Sequence, residues 1–395
     1  MKCDTGRPAR GMTDAAGGAS AGCFGRKAAQ AEEEIQKLEA QDHGKVVLDA
    51  EKLEYISSAG LRVILRLRKQ EPELAIVNAS PEVYEIFEMT GFTEMMPVSR
   101  AYRRVSVDGC EAIGQGANGK VYRLDPETII KVYLNPNSLP DIHRERELAR
   151  KAFVLGIPTA IPYDVVKVGD GYGSVFELLN AKSFGSLIAE HPEEMDKYVK
   201  MYVDLLKKIH GTEVHPEDLR DMKESVVGWV EVLKGYLPDE QYGKLHRMVE
   251  AIPDDNHMIH GDYHVKNVML QNGETILIDM DTIRRGNPVF EFASIYLAYV
   301  GFGELDDSNI EKFLGITYET AGQVWKRTLR YYFETEDEER LSALEDKARV
   351  LAYTKLMRRT IYWNKLSTEE DRRQMEYCRE KLIELLGRVD SLLLQ

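Results

Sequence analysis

Apolar residues recur along the chain with two periods. Ala28, Ala31, Ile35 and Leu38 fall at i, i+3, i+7 and i+10, which predicts a helix. The short run Val46-Val47-Leu48 between polar flanks reads as a buried strand. Leu61, Ile64 and Leu65 mark a second helix, and Leu74-Ala75-Ile76-Val77 another strand. Ser80-Pro81 supplies an N-cap and a first-turn proline for a helix that buries Val83, Ile86 and Phe87 and ends at Gly91. Strands alternating with helices predict a small α/β domain over residues 26–100.

The pattern changes at Arg104. Three β-type segments are predicted near 104–114, 119–124 and 128–133, the last two joined by a turn at Asp125-Pro126-Glu127. A charged helix covers about 140–155. Beyond Phe184 the chain is mostly helical, as at Tyr198, Met201, Tyr202, Leu205 and Ile209, and it is helical again over 311–395. Residues 1–25 differ from all of this: Gly, Ala and Ser fill 12 of the 25 positions without periodicity, so a disordered tail is expected there. No internal repeat is visible.

Composition narrows the class. With 395 residues, 43% of them hydrophobic, the chain has material for two or three folded domains. The net charge of −14 argues against nucleic-acid binding. No apolar run reaches the roughly 20 residues of a membrane helix. No apolar segment follows Met1-Lys2-Cys3-Asp4 to suggest a secretory signal, and four scattered cysteines form no C-x-x-C, so a cytoplasmic protein is expected. An acidic surface would suit a cationic substrate; solubility is the simpler explanation of the charge.

Candidate chemistry lies in the second half. Gly114-Gln115-Gly116-Ala117-Asn118-Gly119 is a G-x-G-x-x-G loop between two predicted strands, a setting suited to phosphates rather than to a dinucleotide. Lys131 stands one strand later and can project beneath that loop. The following helix offers Glu145 and Glu147 as its partner; Glu147 is the expectation. His260-Gly261-Asp262-Tyr263-His264-Val265-Lys266-Asn267 is followed, after a turn at Asn272-Gly273, by Ile276-Leu277-Ile278-Asp279-Met280-Asp281. Phosphoryl transfer needs such a set: a carboxylate for the attacking hydroxyl, and an amide oxygen and a second carboxylate for Mg²⁺. His260 and His264 have no third ligand at a spacing that suits zinc.

With these elements in this order, residues 104–395 resemble the aminoglycoside phosphotransferase and choline kinase group of the protein-kinase-like fold. The resemblance implies an α+β bilobal domain, with a small β-rich lobe to about residue 178 and a large helical lobe from about 179. It implies an ATP- and Mg²⁺-dependent kinase that phosphorylates a hydroxyl of a small molecule. Asp262 would be the catalytic base, and Asn267 and Asp279 the metal ligands. Gly114, Gly116 and Gly119 would form the nucleotide loop, Lys131 and Glu147 the phosphate-positioning pair, and Glu177 the start of a hinge for the nucleotide base. Glu291 stands where the group usually carries Asp, and Val265 where Pro is common.

A second constellation lies upstream. Ser57 or Ser58 in Tyr55-Ile56-Ser57-Ser58-Ala59-Gly60-Leu61 would cap the next helix. A phosphate there would meet free N–H groups and add about −1.5 to −2 charge. Together with Val47-Leu48-Asp49, Asn78-Ala79-Ser80-Pro81-Glu82-Val83 and Thr90-Gly91-Phe92, this text resembles the STAS domain of anti-sigma-factor antagonists. The resemblance implies docking to an anti-sigma factor or another regulatory protein, with Ser58 at the regulated serine position and Ser57 in place of the usual Asp. It also implies a domain shortened at its start, since the family opens with two strands that residues 1–25 do not resemble. An alternative follows: a regulatory protein whose kinase half phosphorylates Ser58 or only senses nucleotide.

Overall fold

Capping chemistry sets where the first helices begin. The Ser57 hydroxyl accepts a hydrogen bond from the Gly60 amide at 3.3 Å and starts α1 (Ser58–Gln70). The Ser80 hydroxyl does the same for the Val83 amide ahead of α2 (Pro81–Met89). These details come from a computed structural model, which describes residues 46–116, 118–362 and 364–394. The tail expected over 1–25 and the helix expected through Ala28 to Leu38 lie outside the described residues.

The chain divides into two units. One ends at Ser106 and includes Val165–Gly169; the other consists of Val107–Asp164 and Asp170–Gln395. In the first, β1 (Val47–Asp49), β2 (Ala75–Ala79) and β3 (Val98–Arg100) form a parallel sheet in the order β1-β2-β3. Ile56, Val63, Ile64, Leu67, Ile76, Val83 and Phe87 fill its core. Each such side chain contributes about 1.5–3 kcal/mol relative to an exposed position. The helical face differs slightly from the expected one, because Val63 and Leu67 are buried where Leu61 and Leu65 are half-buried. Lys167 exchanges backbone hydrogen bonds of 2.9 Å with Arg103 and Val105 in the same unit.

The second unit opens with antiparallel strands β4 (Ala112–Gln115), β5 (Gly119–Arg123), β6 (Thr128–Tyr133) and β7 (Gly171–Glu177), neighbours in that order. The expected segment 104–114 is a strand only over its last few residues. The Asp125 carboxylate closes the β5–β6 turn by accepting from the Glu127 amide at 2.8 Å and from the Thr128 hydroxyl at 2.6 Å. Helix α3 (Leu139–Val154) packs beside this sheet, with Ile142, Glu145, Leu148, Ala149 and Ala152 on its buried face.

The rest is mostly helical, with α4 (Met195–His210), α5 (Val289–Tyr296), α6 (Tyr318–Phe333), α7 (Glu338–Tyr362) and α8 (Glu369–Leu386) around one large core. A hairpin of β8 (Val268–Gln271) and β9 (Glu274–Leu277) turns at Asn272-Gly273, both at positive φ as a tight two-residue turn requires. Among the described residues no helix is long and apolar enough to cross a membrane. A β-sheet part followed by a helical part, behind a separate α/β unit, is the expected architecture.

Candidate active site

The segment 260–267 is held from several sides. The buried Glu291 carboxylate, at the start of α5, accepts from the backbone N–H groups of His260 and Gly261. Tyr299 OH accepts from the Val265 amide at 2.9 Å. Tyr202 OH donates to the Tyr263 carbonyl, and Tyr263 OH donates back to the Tyr202 carbonyl at 2.7 Å. Glu291 in turn lies 3.7 Å from His210 Nε2, and His210 Nδ1 is 2.8 Å from Tyr332 OH. Burial pushes the Glu291 carboxyl upward, but His210, the charge of His260 and the backbone N–H donors outweigh it and hold the group below the usual carboxylate range.

Gly261 is required by geometry. Its φ is +83°, and a Cβ there would stand 2.8 Å from the Thr282 carbonyl oxygen. The Thr282 hydroxyl donates to the His260 carbonyl at 2.7 Å, so the two segments fit edge to edge. This explains why glycine occupies the place beside Asp262.

Asp262 is half-exposed, with His264 Nε2 3.5 Å from its carboxylate. Burial raises its pKa, but the His264 hydrogen bond and the charges of His264, Lys355 and His260 pull it down to about 2. The group therefore stays ionised and can accept a hydrogen bond from an attacking hydroxyl. Asn267 donates its side-chain N–H to the Asp262 carbonyl at 3.0 Å, which turns its amide oxygen away from that bond and leaves it able to serve as a ligand atom. The Ile278 amide donates to the Asn267 carbonyl at 2.9 Å, which brings Asp279 beside Asn267. Asp279 has φ +63°, a left-handed conformation that Asp tolerates better than most residues.

Lys131, on β6, links the sheet to this segment. Its ammonium is 3.0 Å from Glu145 Oε1 and 3.0 Å from Asp279 Oδ1. Burial works against its charge, yet Asp279 and Glu145 more than compensate and raise its pKa. Tyr133 OH donates to the second Glu145 oxygen at 2.5 Å. The expected partner Glu147 is elsewhere: it is exposed and pairs with Lys151 at 3.2 Å, one turn along the helix. The physical reason is helical phase. Glu145 shares the face of Ile142, Leu148 and Ala152, whereas a shift of two residues points Glu147 to solvent.

The remaining expected residues are placed as follows. Gly114 lies within β4, and Gly119 opens β5. A Cβ on Gly119 would stand 2.5 Å from the Val132 carbonyl oxygen, so this glycine serves sheet packing; a Cβ on Gly116 would meet nothing within 4 Å. The Gly116 amide donates to the Gly119 carbonyl at 2.9 Å and closes the loop as a hairpin. Glu177 is exposed at the end of β7, opposite Thr128, and the next amide, Leu178, is given to the Glu127 carbonyl at 2.7 Å. In the first unit Ser58 is exposed, and the capping role falls to Ser57 alone.

The donor chemistry fits a hard divalent ion. Asn267 and Asp279 offer oxygens, and among the described residues no group of three or more His, Cys, Asp or Glu is gathered for a metal. Magnesium suits such a sparse set, because it takes one or two protein carboxylates and completes its shell with phosphates and water. Charge points the same way. Burial and the carboxylates of Asp279, Glu145 and Asp262 outweigh Lys131 at Asp281 and push its pKa to about 7. Sequence alone assigns no role to Asp281, Glu291 or Lys355. Glu291 was visible there only as a departure from a pattern.

Residues 109–328 match the family model described as the phosphotransferase enzyme family, and residues 22–105 match the STAS domain. Over 80 residues the chain is 45% identical to a protein of Bordetella bronchiseptica named as anti-sigma factor antagonist BtrV, covering 18% of this chain and 69% of that one. Among solved structures, ADP-bound aminoglycoside phosphotransferase APH(2'')-Ib matches with a TM-score of 0.49 and 15% identity, over 76% of this chain and 98% of that one. A choline/ethanolamine kinase family protein from Mesorhizobium loti matches with a TM-score of 0.45 and 15% identity, over 70% and 87%. The chain therefore belongs to the phosphotransferase enzyme family and carries a STAS domain ahead of its phosphotransferase region.

Proposed function

We propose that residues 104–395 transfer the terminal phosphoryl group of ATP to a hydroxyl of a small molecule, and that the STAS domain docks a regulatory protein of the anti-sigma-factor type. The observation that carries the first part is the position of Lys131, which contacts Glu145 on the sheet side and Asp279 on the helical side of one unit. A phosphate chain laid along this ammonium would pass from the glycine loop of Gly114, Gly116 and Gly119 toward Asp262. Asp262 orients the acceptor hydroxyl, and its proton leaves as the bond to phosphorus forms. Asn267 and Asp279 would hold magnesium, which neutralises charge on the phosphates when bound. Glu177 begins the stretch proposed to receive the nucleotide base. A cytoplasmic setting, where ATP and magnesium are plentiful, suits this reading.

The test is thermal unfolding of the full chain with and without Mg²⁺-ATP. An upward shift is expected, which Asp279→Ala removes. Asp262→Ala should keep the shift and lose turnover. No shift in the unmodified protein would sink the nucleotide site.

One observation favours a second role for the STAS unit. Ser58 is exposed and free of the capping bond, so its hydroxyl is open to modification. Intact mass and peptide mapping after incubation with Mg²⁺-ATP decide whether the kinase half modifies it. Unmodified Ser58 alongside turnover of a small acceptor eliminates self-phosphorylation.

A further inference from the structure

The proposed kinase activity leaves its acceptor open, and charge beside Asp262 narrows it. Helix α7 is buried from Val350 through Met357 except at one position, the half-buried Lys355, which brings the one charged side chain into this stretch. The Lys355 ammonium donates to Ser294 Oγ at 2.8 Å, lies 3.4 Å from the Gly261 carbonyl and 5.8 Å from the centre of the Trp229 ring. One turn further on, the Arg359 guanidinium lies 5.6 Å from the centre of the Phe302 ring. Among the described residues neither cation has a carboxylate within 4.0 Å, although Asp262 and Glu291 act on Lys355 from further away. Asp262, Ser294, Leu297, Phe302, Lys355 and Arg359 line a cavity of about 50 Å³. That is space for one small group, since water in the liquid takes about 30 Å³ per molecule.

A wider cleft of about 740 Å³ shares Phe302 and is rimmed by Asp306, Glu369, Glu370 and Asp371. Its acidity does not by itself argue for a cationic acceptor. Asp371 is engaged by Asn364 and by the Thr368 backbone amide, and Asp306 accepts from the Ser308 amide. Glu369 and Glu370 occupy the first turn of α8, where helices favour acidic residues. The cavity that Asp262 itself lines is bordered by two cations, Lys355 and Arg359.

Resting on the kinase reading above, we propose that the acceptor is a small hydroxy acid: its hydroxyl meets Asp262, and its carboxylate or other anionic group enters the cavity against Lys355 and Arg359. In the reaction the acceptor oxygen bonds to the γ-phosphorus of the nucleoside triphosphate as the bond to the β-bridging oxygen breaks. The hydroxyl proton passes by way of Asp262 to water, giving the phosphate ester, the diphosphate and H⁺.

The experiment measures ADP release by the full chain with Mg²⁺-ATP and glycerate, malate, glycerol, choline or kanamycin, alongside calorimetric titration of Mg²⁺-ATP. Glycerate or malate is expected to exceed glycerol at least ~10-fold in kcat/KM, as one charge-assisted contact provides. Lys355→Gln and Arg359→Gln should each raise the acid's KM ~10-fold and leave the KM for ATP unchanged. Lys355 also holds Ser294, so Arg359→Gln, at a more exposed site, keeps the test alive if Lys355→Gln fails to fold. Binding of ATP with choline or kanamycin preferred, with no acceptor distinguished, or with the variants altering only the KM for ATP overturns this inference alone. Absence of ATP binding sinks the kinase reading and this one with it.

Discussion

The ammonium of Lys131 and the carboxylate of Asp279 are separated by 148 positions in the chain and by 3.0 Å in space. Through this contact the small sheet and the helical part address one another at the point proposed to receive the phosphates.

Removing Lys131 leaves Glu145 buried with, among the described residues, only the Tyr133 hydroxyl to answer its charge. Lys131→Met is therefore expected to cost on the order of 3 kcal/mol of unfolding free energy and to abolish turnover. Glu145→Gln should lose activity as well. Glu147→Gln, at an exposed site, should stay within about 0.5 kcal/mol and keep its activity. Denaturant midpoints and ADP release on the three variants check this. A Glu147→Gln variant as damaged as Glu145→Gln would return the pairing to Glu147.

Gly261 and Gly273 both have positive φ, +83° and +86°, yet only Gly261 faces a backbone oxygen where a Cβ would go. Gly273→Ala should cost about 1–2 kcal/mol from its dihedral alone. Gly261→Ala should cost more and suppress turnover, because Thr282 must move as well. Equal stability losses with retained activity in both would show that the segment tolerates displacement.

Acid should weaken the grip on the 260–267 segment. The Glu291 carboxyl is depressed in the folded state, so its contribution is present above the ordinary unfolded value near 4.3 and disappears as pH falls through the folded value. Glu291→Gln should be about 1–3 kcal/mol less stable at pH 7 and show a shallower loss below about pH 4. Urea midpoints from pH 7 to pH 3 measure the difference; parallel curves would remove Glu291 from the account.

In the STAS unit, Ser57→Ala should cost about 1 kcal/mol and speed hydrogen exchange at the Gly60 amide. Ser58→Ala should leave that amide unchanged. The reverse pattern would assign the cap to Ser58.

Much of this was legible in the sequence because its signals are local. Asp262, Asn267 and Asp279 sit in two short segments joined by one tight turn, so residue type and spacing together mark them, and the family resemblance supplies the roles expected of them. Ser80-Pro81 marked its helix for the same reason. The choice between Glu145 and Glu147 went the other way, although the apolar rhythm of Ile142, Leu148 and Ala152 carried the answer. Lys355 and Ser294 were beyond reach. Nothing near a lysine in the middle of a helix says that a loop 94 positions earlier ends beside it.

The seam between residues 260–267 and 278–282 has a mechanical implication. It is stitched at Gly261 against Thr282, at His260 to the Thr282 hydroxyl, and at Asn267 to Ile278. Asp262 and Asp279, the residues proposed as proton acceptor and metal ligand, consequently share one hydrogen-bonded frame. A displacement of either segment would therefore carry the other with it, so the spacing between the two carboxylates is built into the backbone rather than into the side chains.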